Sequence, residues 1–211
     1  MGENWNQVNN GLTNPRILSI TFNSSAHIFI GTVEGIFRST DIGNNWIPVN
    51  NGLIGGNILS LACNSAGYIF AATWSGIFRS TDNVENWTNI NSLDIKSIVI
   101  SSYDDIFVGN NSAIWCSTDH GVNWILINNG LTTFKIHCLA ISNSNNYIFA
   151  GTDIGMFRST NCGDNWTQIN NGLRELNVHC LINNQDGYIF AGTGQSGDGG
   201  VFRSINSTTT V

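Results

Sequence analysis

The pair Asn-Trp recurs five times along this 211-residue chain, and the recurrence constrains the fold more than any other feature. The five tryptophans are Trp5, Trp46, Trp87, Trp124 and Trp166. The intervals between them are 41, 41, 37 and 42 residues. A period near 40 residues is typical of solenoids and of propellers, so the chain is read first as a repeat protein.

Each repeat contains four short segments with strand character. In the first repeat they begin at Ile17, His27, Gly35 and Asn45. They are rich in Ile, Phe, Val and Trp and are bounded by Gly, Asn, Ser or Asp, which is typical of strands. Several are apolar on both faces, as stacked blades require, and no longer stretch has a helical period. Four strands in about 40 residues favour an all-β propeller over a β-solenoid, whose repeats are usually shorter.

The five copies of each segment predict a five-bladed β-propeller of four-stranded antiparallel blades. The fifth copy is split between the two ends of the chain: three strands lie in 178–204, and the fourth lies in 4–9. Pairing of the two ends would close the ring and leave no exposed strand edge at the seam. We therefore expect one propeller over residues 1–206, closed by the N-terminal strand, and a tail over 207–211.

The charge composition excludes several classes of partner. Lys and Arg total 8 against 14 Asp and Glu, which gives a net charge of −6. So few cations cannot neutralise many phosphates, which argues against nucleic acid and against an anionic membrane surface. No apolar run approaches the roughly 20 residues of a membrane-spanning helix, and the five cysteines match neither a disulfide framework nor a zinc knuckle. We expect no nucleic-acid partner, no membrane insertion, no metal and no cofactor.

The loop around four of the five Asn-Trp pairs carries a second pattern, Ser-x-Asp-x-Gly-x-x-Trp. Two of its four copies diverge, with Val84 in place of Gly and Asn161 in place of Asp. The matching residues are Ser39, Asp41, Gly43, Trp46, Ser80, Asp82, Trp87, Ser117, Asp119, Gly121, Trp124, Ser159, Asn161, Gly163 and Trp166. The pattern resembles the Asp-box, or bacterial neuraminidase repeat. With its low charge and Asn-Asn-Gly-Leu segments, the chain is similar to propellers of large secreted bacterial surface proteins. The resemblance implies an extracellular or cell-surface location within a longer protein, although the N-terminus shows no signal peptide.

The pattern residues are interpreted as fold residues. A short Asp or Asn side chain accepts hydrogen bonds from backbone N–H groups a few residues on and so stabilises a hairpin loop. Gly supplies a backbone conformation that other residues disfavour, and Trp covers the hairpin with a large apolar ring. The resemblance agrees, because in sialidases these boxes are structural and lie away from the active site.

The resemblance to sialidases does not extend to their catalytic groups. Sialidases bind the substrate carboxylate with three arginines, whereas Arg38, Arg79, Arg158 and Arg203 repeat at one strand position, replaced by Cys116 in the remaining blade. Residues repeated around a ring cannot all converge on one substrate. The Arg-Ile-Pro signature is absent, and sialidases resemble six-bladed rings. We therefore expect no catalytic residues. The alternative is a sialidase-like glycan hydrolase, or the remnant of one, with an acid-base pair such as Asp153 and Glu34.

The face opposite the boxes is where the repeats diverge, on the loops between the second and third strands of each blade. An aromatic ring beside amide and carboxylate groups is how many lectins hold sugars. The binding candidates are Trp74, Glu34, Asn111, Asp153, Asp198 and Arg174. They predict a non-catalytic binding or scaffold module for a glycan or a protein. For Trp74, packing against its neighbouring loop is the alternative.

Two further features leave alternatives open. His137-Cys138 and His179-Cys180 have the side chains of a zinc site, but neighbouring residues on a strand point to opposite faces, so we favour small core residues over a metal site. A Cys138–Cys180 disulfide requires inner strands within about 7 Å. The chain is also similar to the photosystem II assembly factor with this repeat, but largely lacks the arginine patch through which that family binds.

Overall fold

The computed structural model describes residues 4–133, 135–142, 145–194 and 199–204. Within these ranges the chain forms strands, turns and bends, and no helix. The fold is an all-β, five-bladed β-propeller, and this prediction is confirmed. Within each sheet the strands are antiparallel, and consecutive strands along the chain are neighbours.

The backbone separates into two compact units, Met1–Asp94 and Ile95–Val211. The first unit holds two four-stranded blades. Their strands are β1 (Ile17–Phe22), β2 (Ile28–Thr32), β3 (Ile36–Ser39) and β4 (Ile47–Pro48), then β5 (Ile58–Cys63), β6 (Ile69–Thr73), β7 (Gly76–Ser80) and β8 (Thr88–Asn91).

The second unit holds three blades. Two have four strands, and the described part of the last has three. Their strands are β9 (Ser97–Ile100), β10 (Ile106–Gly109), β11 (Ile114–Ser117), β12 (Ile125–Leu126), β13 (Ile136–Ile141), β14 (Ile148–Thr152), β15 (Gly155–Ser159), β16 (Thr167–Gln168), β17 (Val178–Asn183), β18 (Ile189–Thr193) and β19 (Gly200–Arg203).

The core lies between neighbouring blades inside each unit, around the second strands. Phe29 and Phe70 in the first unit and Phe107 in the second are no more than 1% exposed. Glycines let the next blade approach closely: a Cβ on Gly31 would lie 2.6 Å from Cγ2 of Ile58, too close for two carbons. Two-sided apolar strands are therefore covered on both faces, as stacked blades require.

A repeated hydrogen bond joins neighbouring blades at their outer strands. Trp87 Nε1 donates to the carbonyl of Val49 at 2.7 Å, and Trp166 Nε1 donates to that of Ile127 at 2.7 Å. Trp46 Nε1 donates in the same way to the carbonyl of Val8 at 2.8 Å. The N-terminal segment thus contacts the first blade as the end of one blade contacts the next.

The predicted fourth strand of the last blade, residues 4–9, has no strand assigned in the structure. Its neighbour Asn10 repeats the blade-to-blade link, because Asn10 Nδ2 donates to Asn45 Oδ1 at 2.6 Å and Asn51 Nδ2 donates to Asn86 Oδ1 at 2.6 Å. Pairing of 4–9 with β19, and a single ring over 1–206, stay predictions. The tail 207–211 lies outside the described residues.

Candidate ligand-binding face

The first Ser-x-Asp loop is held by a closed set of hydrogen bonds. Ser39 Oγ donates to Asp41 Oδ1 at 2.8 Å and accepts from the Gly43 backbone N–H at 2.8 Å. Asn45 donates its backbone N–H to Asp41 Oδ1 at 2.9 Å and its side-chain amide to Oδ2 at 2.6 Å. Both carboxylate oxygens of Asp41 are therefore engaged inside the loop.

The same contacts hold the other loops of this kind. Hydrogen bonds from Asn86 lower the pKa of Asp82 to about 2, and those from Asn123 lower the pKa of Asp119 to about 2. In the fourth loop the amide oxygen of Asn161 accepts from the Asn165 backbone at 3.0 Å. The side-chain oxygens of these residues accept hydrogen bonds within their own hairpin loops, so few lone pairs remain to bind a ligand or a metal.

The divergent Val84 takes the position of a glycine at some conformational cost. Its φ is +66°, in the left-handed region that disfavours β-branched residues, whereas Gly43 and Gly121 occupy that region without a Cβ. Its side chain is buried in the core that includes Trp87, and its N–H still donates to Ser80 Oγ at 3.0 Å. Packing of the isopropyl group offsets the backbone strain.

The loops between second and third strands are shaped by a threonine at their start. Thr32 Oγ1 donates to the Gly35 carbonyl at 3.0 Å and accepts from the Glu34 N–H at 3.0 Å. Thr73 repeats the first of these bonds with Gly76 at 2.9 Å. Each loop is thus a short turn that presents the residues just after the threonine.

In the first unit this turn presents Trp74, which is 60% exposed. The chain passes close beside it, since a Cβ on Gly55 would lie 2.5 Å from Ser75 Oγ. On the neighbouring loop, Glu34 accepts hydrogen bonds from Thr13 Oγ1 at 3.1 Å and Asn14 Nδ2 at 3.0 Å. Trp74 therefore leaves most of its ring open, while both oxygens of Glu34 are already engaged.

In the second unit two predicted residues contact the lysines of the chain. Lys96 Nζ donates to Asn111 Oδ1 at 2.7 Å. Lys135 Nζ lies 3.5 Å from Asp153 Oδ2, and Thr133 Oγ1 donates to Asp153 Oδ1 at 2.7 Å. Burial alone would raise the pKa of Asp153, but the Thr133 hydrogen bond and the Lys135 cation outweigh it and lower that pKa. Asp153 is therefore ionised at neutral pH.

For the last two predicted binding residues, Arg174 and Asp198, the structure gives less detail. Arg174 is exposed on the connection that leads to β17. Asp198 lies outside the described residues. Among the described residues, no group of three or more His, Cys, Asp or Glu side chains is arranged to hold a metal ion.

A histidine pair that the sequence left as core or metal residues lies on the inner strands of the second unit. The rings of His137 and His179 are 5.3 Å apart and tilted by 40°. His179 Nε2 lies 3.0 Å from the Gly194 carbonyl, and His137 Nε2 is a buried atom with no hydrogen-bond partner among the described residues. Burial, followed by Lys96 and His179, lowers the pKa of His137. The signal that could have identified the pair is one repeat position, where Leu18 and Leu59 are replaced by histidine in the last two blades.

The cysteines beside these histidines are free thiols. Cys138 and Cys180 form no disulfide, and neither do Cys63, Cys116 and Cys162. Burial raises the pKa of Cys138 to about 12, so its thiol stays protonated and unreactive at neutral pH. Cys138 Sγ lies 3.9 Å from the Val178 carbonyl, against the next strand.

One carboxyl group is less acidic than usual. Burial raises the pKa of Asp105, opposed by a hydrogen bond with Ser101 and reinforced by the charge of Asp104. Asp105 stands where neighbouring repeats have tyrosine, as with Tyr147, over which Arg158 stacks at 5.8 Å. A raised pKa is the property of a general acid, and Asp105 is not among the carboxylates that the sequence predicts as site residues.

The comparisons with known proteins show the fold. No protein-family profile matches the chain, and no curated protein does. The GH74 xyloglucanase from Xanthomonas campestris superposes with a TM-score of 0.75 at 14% identity, over 95% of this chain and 37% of that one. An extracellular domain named for a hybrid two component system of B. thetaiotaomicron gives 0.75 at 16% identity, over 98% and 31%. YCF48 bound to D1 peptide gives 0.71 at 20% identity, over 93% and 68%.

These neighbours are β-propellers. At sequence identities of 14% to 20%, the similarity shows a shared fold and does not show a shared activity. The chain spans about a third of the length of the enzyme and of the extracellular domain. Within the described residues, no helix is long and apolar enough to cross a membrane.

Proposed function

We propose that the chain is a non-catalytic binding module that holds a glycan or a protein ligand on the face of the second-to-third-strand loops. The observation that carries the proposal is the exposure of Trp74, at 60%. Trp46, Trp87 and Trp166 are at most 7% exposed, because they cover hairpins and join blades. The indole of Trp74 stands on a short turn and is mostly exposed, unlike the tryptophans that cover hairpins, so it is available to contact a partner.

The chemistry of the face suits stacking better than catalysis. A flat aromatic ring offers apolar area to the C–H face of a sugar or to an apolar side chain, while its N–H remains a donor. In the same unit as Trp74, Glu34 is held by hydrogen bonds from Thr13 and Asn14 and offers a fixed polar edge. Fixed groups cost less entropy on binding than mobile ones.

Two further parts of the proposal rest on resemblance to other proteins: the structural role of the Ser-x-Asp loops and the location outside the cell. The four Ser-x-Asp loops resemble Asp-boxes, and their internal hydrogen bonds support a structural role for them. A location outside the cell, within a longer secreted or surface protein, is supported by neighbours that are extracellular domains.

A glycan array with the purified chain tests the proposal, run beside Trp74→Ala and a matched control, Tyr103→Ala. Tyr103 is also an exposed aromatic residue, but it lies between the first and second strands of its blade. We expect binding that Trp74→Ala removes and Tyr103→Ala retains. Equal binding by all three proteins would exclude Trp74 as the contact, and the absence of any glycan binding would leave a protein ligand.

The alternative is a glycan hydrolase or its remnant, and the raised pKa of Asp105 is the observation that favours it. Inverting and retaining glycosidases both need a second carboxylate across the scissile bond. Release of reducing sugar from xyloglucan, or of sialic acid from a sialoside, would support this alternative if Asp105→Asn abolished it.

A further inference from the structure

One repeat position changes character between the two units. It is the second residue of the innermost segment, and in the first unit it is Leu18 and Leu59. In the three blades of the second unit it is Lys96, His137 and His179. Three successive blades thus replace an apolar side chain by a cationic or titratable one.

A β-bulge sets the direction of the side chain at this position. The pairing of β13 with β14 shifts register between Ile136 and Cys138, so His137 is the extra residue of a bulge, and His179 is the extra residue of the matching bulge in the last blade. Leu18 and Leu59 occupy the same bulge in the first unit. A bulge re-aims a side chain out of the regular alternation of its strand, so in these four blades the backbone is alike and the residue type is what changes.

Two of the three side chains are in ring contact, and the third acts on them through its charge. The imidazole rings of His137 and His179 are 5.3 Å apart. Lys96 directly precedes β9, whose Ser97 Oγ accepts from the Leu139 N–H at 3.0 Å, and the positive charge of Lys96 acts on His137. The Lys96 ammonium also donates to Asn111 Oδ1 at 2.7 Å. Three nitrogen-bearing groups therefore share one patch, which we call the basic patch and define as Lys96, His137 and His179.

The charges around the basic patch favour an anion over a metal ion. The chain has only two lysines, Lys96 and Lys135, and both raise the electrostatic potential at His137. The acidic group beside them, Asp153, is paired with Lys135 and with Thr133. A metal cation would meet two ammonium groups there, whereas a carboxylate would meet up to three donors.

We propose that Lys96, His137 and His179 form an anion-binding subsite for a carboxylate-bearing ligand, a uronic acid being the simplest, with affinity that increases as the pH falls. The ammonium of Lys96 donates to one carboxylate oxygen and an imidazole N–H to the other. At low pH each protonated histidine donates from both ring nitrogens and adds a positive charge. This subsite lies in the second unit and is independent of Trp74, which lies in the first.

The sign of the pH dependence follows from the groups that face His137. Burial is the largest cause that lowers the pKa of His137; Lys96, His179 and Lys135 act in the same direction, and Asp153 opposes them. His137 is therefore neutral at pH 7.5 in the unliganded protein. A bound carboxylate stabilises the imidazolium and takes up a proton. Because binding takes up a proton, the affinity for the ligand increases as the pH falls.

Isothermal titration of the full chain with D-glucuronate, at pH 5.5 and 7.5, tests the proposal, with D-glucose as the uncharged probe. We expect glucuronate to bind about tenfold more tightly at pH 5.5, because charge-assisted hydrogen bonds are about twice as strong as neutral ones. Lys96→Gln and His179→Gln should each weaken binding about tenfold at pH 5.5. The control Arg16→Gln, which removes one exposed positive charge from the first unit, should leave binding unchanged.

NMR of the histidine ring protons in the unsubstituted chain provides a second readout, which does not require any variant to fold. Glucuronate should raise the pKa of His137 and should shift the ring resonances of His137 and His179 but not those of His27 and His120. Glucuronate binding that is equal at both pH values, or unaffected by Lys96→Gln, would overturn the proposal. Binding of inorganic phosphate without glucuronate would overturn the carboxylate assignment. If Trp74→Ala does not affect glycan binding, only the proposed role of Trp74 is contradicted, because the test of the basic patch uses different residues and a different ligand.

Discussion

Replacement of Trp74 by alanine is the sharpest test of the proposed binding face. Trp74 is 60% exposed. About 120 Å² of its roughly 200 Å² is therefore open to a ligand. Stacking on one sugar ring would cover about half of that, which stabilises the complex by about 1.5 kcal/mol at about 25 cal/mol per Å². The Kd should then rise about tenfold in Trp74→Ala.

The same exposure predicts that stability is nearly unchanged. A side chain in solvent makes few packing contacts, so its removal should alter the free energy of unfolding by less than about 0.5 kcal/mol. Titration calorimetry against the strongest ligand of the array, with urea denaturation of the same samples, measures both quantities. Trp74→Phe keeps a smaller ring and should retain part of the affinity.

Two results would refute this reasoning. An unchanged Kd in Trp74→Ala would mean that the exposed ring is not the contact. A loss of about 2 kcal/mol or more in unfolding free energy would mean that the indole packs against its neighbouring loop, as the sequence left open.

Three further predictions concern the fold. Trp87→Phe should lower the free energy of unfolding by about 1 to 3 kcal/mol in urea, because it leaves a carbonyl between two blades unpaired. Acid should destabilise the protein as the pH falls from about 4 towards 2, because hydrogen bonds lower the pKa of Asp82 to about 2 from its usual value of 3.8. Asp82→Asn should reduce that acid sensitivity, since Asn161 does the same work in the fourth loop without titrating. Gly31→Ala should cost about 1 to 3 kcal/mol through overpacking, whereas Gly200→Ala, whose new Cβ would have no atom of the described residues within 4 Å, should be nearly neutral.

Each of these has a contradicting outcome. Equal unfolding midpoints for Trp87→Phe and the native chain would show that the hydrogen bond between blades is dispensable. An unfolding free energy that is constant from pH 4 to pH 2 would exclude Asp82 as an acid-labile group. Equal effects of the two glycine variants would show that the close approach at Gly31 relaxes without cost.

Most of the strands could be predicted from the sequence, but the outer ones are shorter than expected. The segment that begins at Asn45 is predicted as a full strand, and only Ile47–Pro48 pairs in the structure. Asn45 donates its N–H to Asp41 inside the preceding loop, so it is not available to a ladder. The apolar pattern alone does not reveal that competition.

The candidate sites were predictable only in part. Trp74 stands out in the sequence because it breaks the repeat, and the structure leaves it 60% exposed, while its role in binding stays a prediction. The sequence predicts Glu34 as a binding candidate, but it does not indicate that Thr13 and Asn14, some 20 residues earlier in the chain, donate hydrogen bonds to both of its carboxylate oxygens. His137 and His179 are 42 positions apart, and only their shared repeat position relates them, since nothing local to either residue indicates the other. Their ring contact is known only from the structure.

The sequence by itself determined the number of blades and the hairpin loops, because each repeat of about 40 residues carries its own apolar alternation and its own turn residues. Those signals act between positions a few residues apart. Only the tertiary structure decided which diverged side chains meet, since contacts such as Lys96 to Asn111 or His137 to His179 depend on how strands from different hairpins and blades are stacked. Function on a repeat fold resides in such contacts, and they form only when the blades pack.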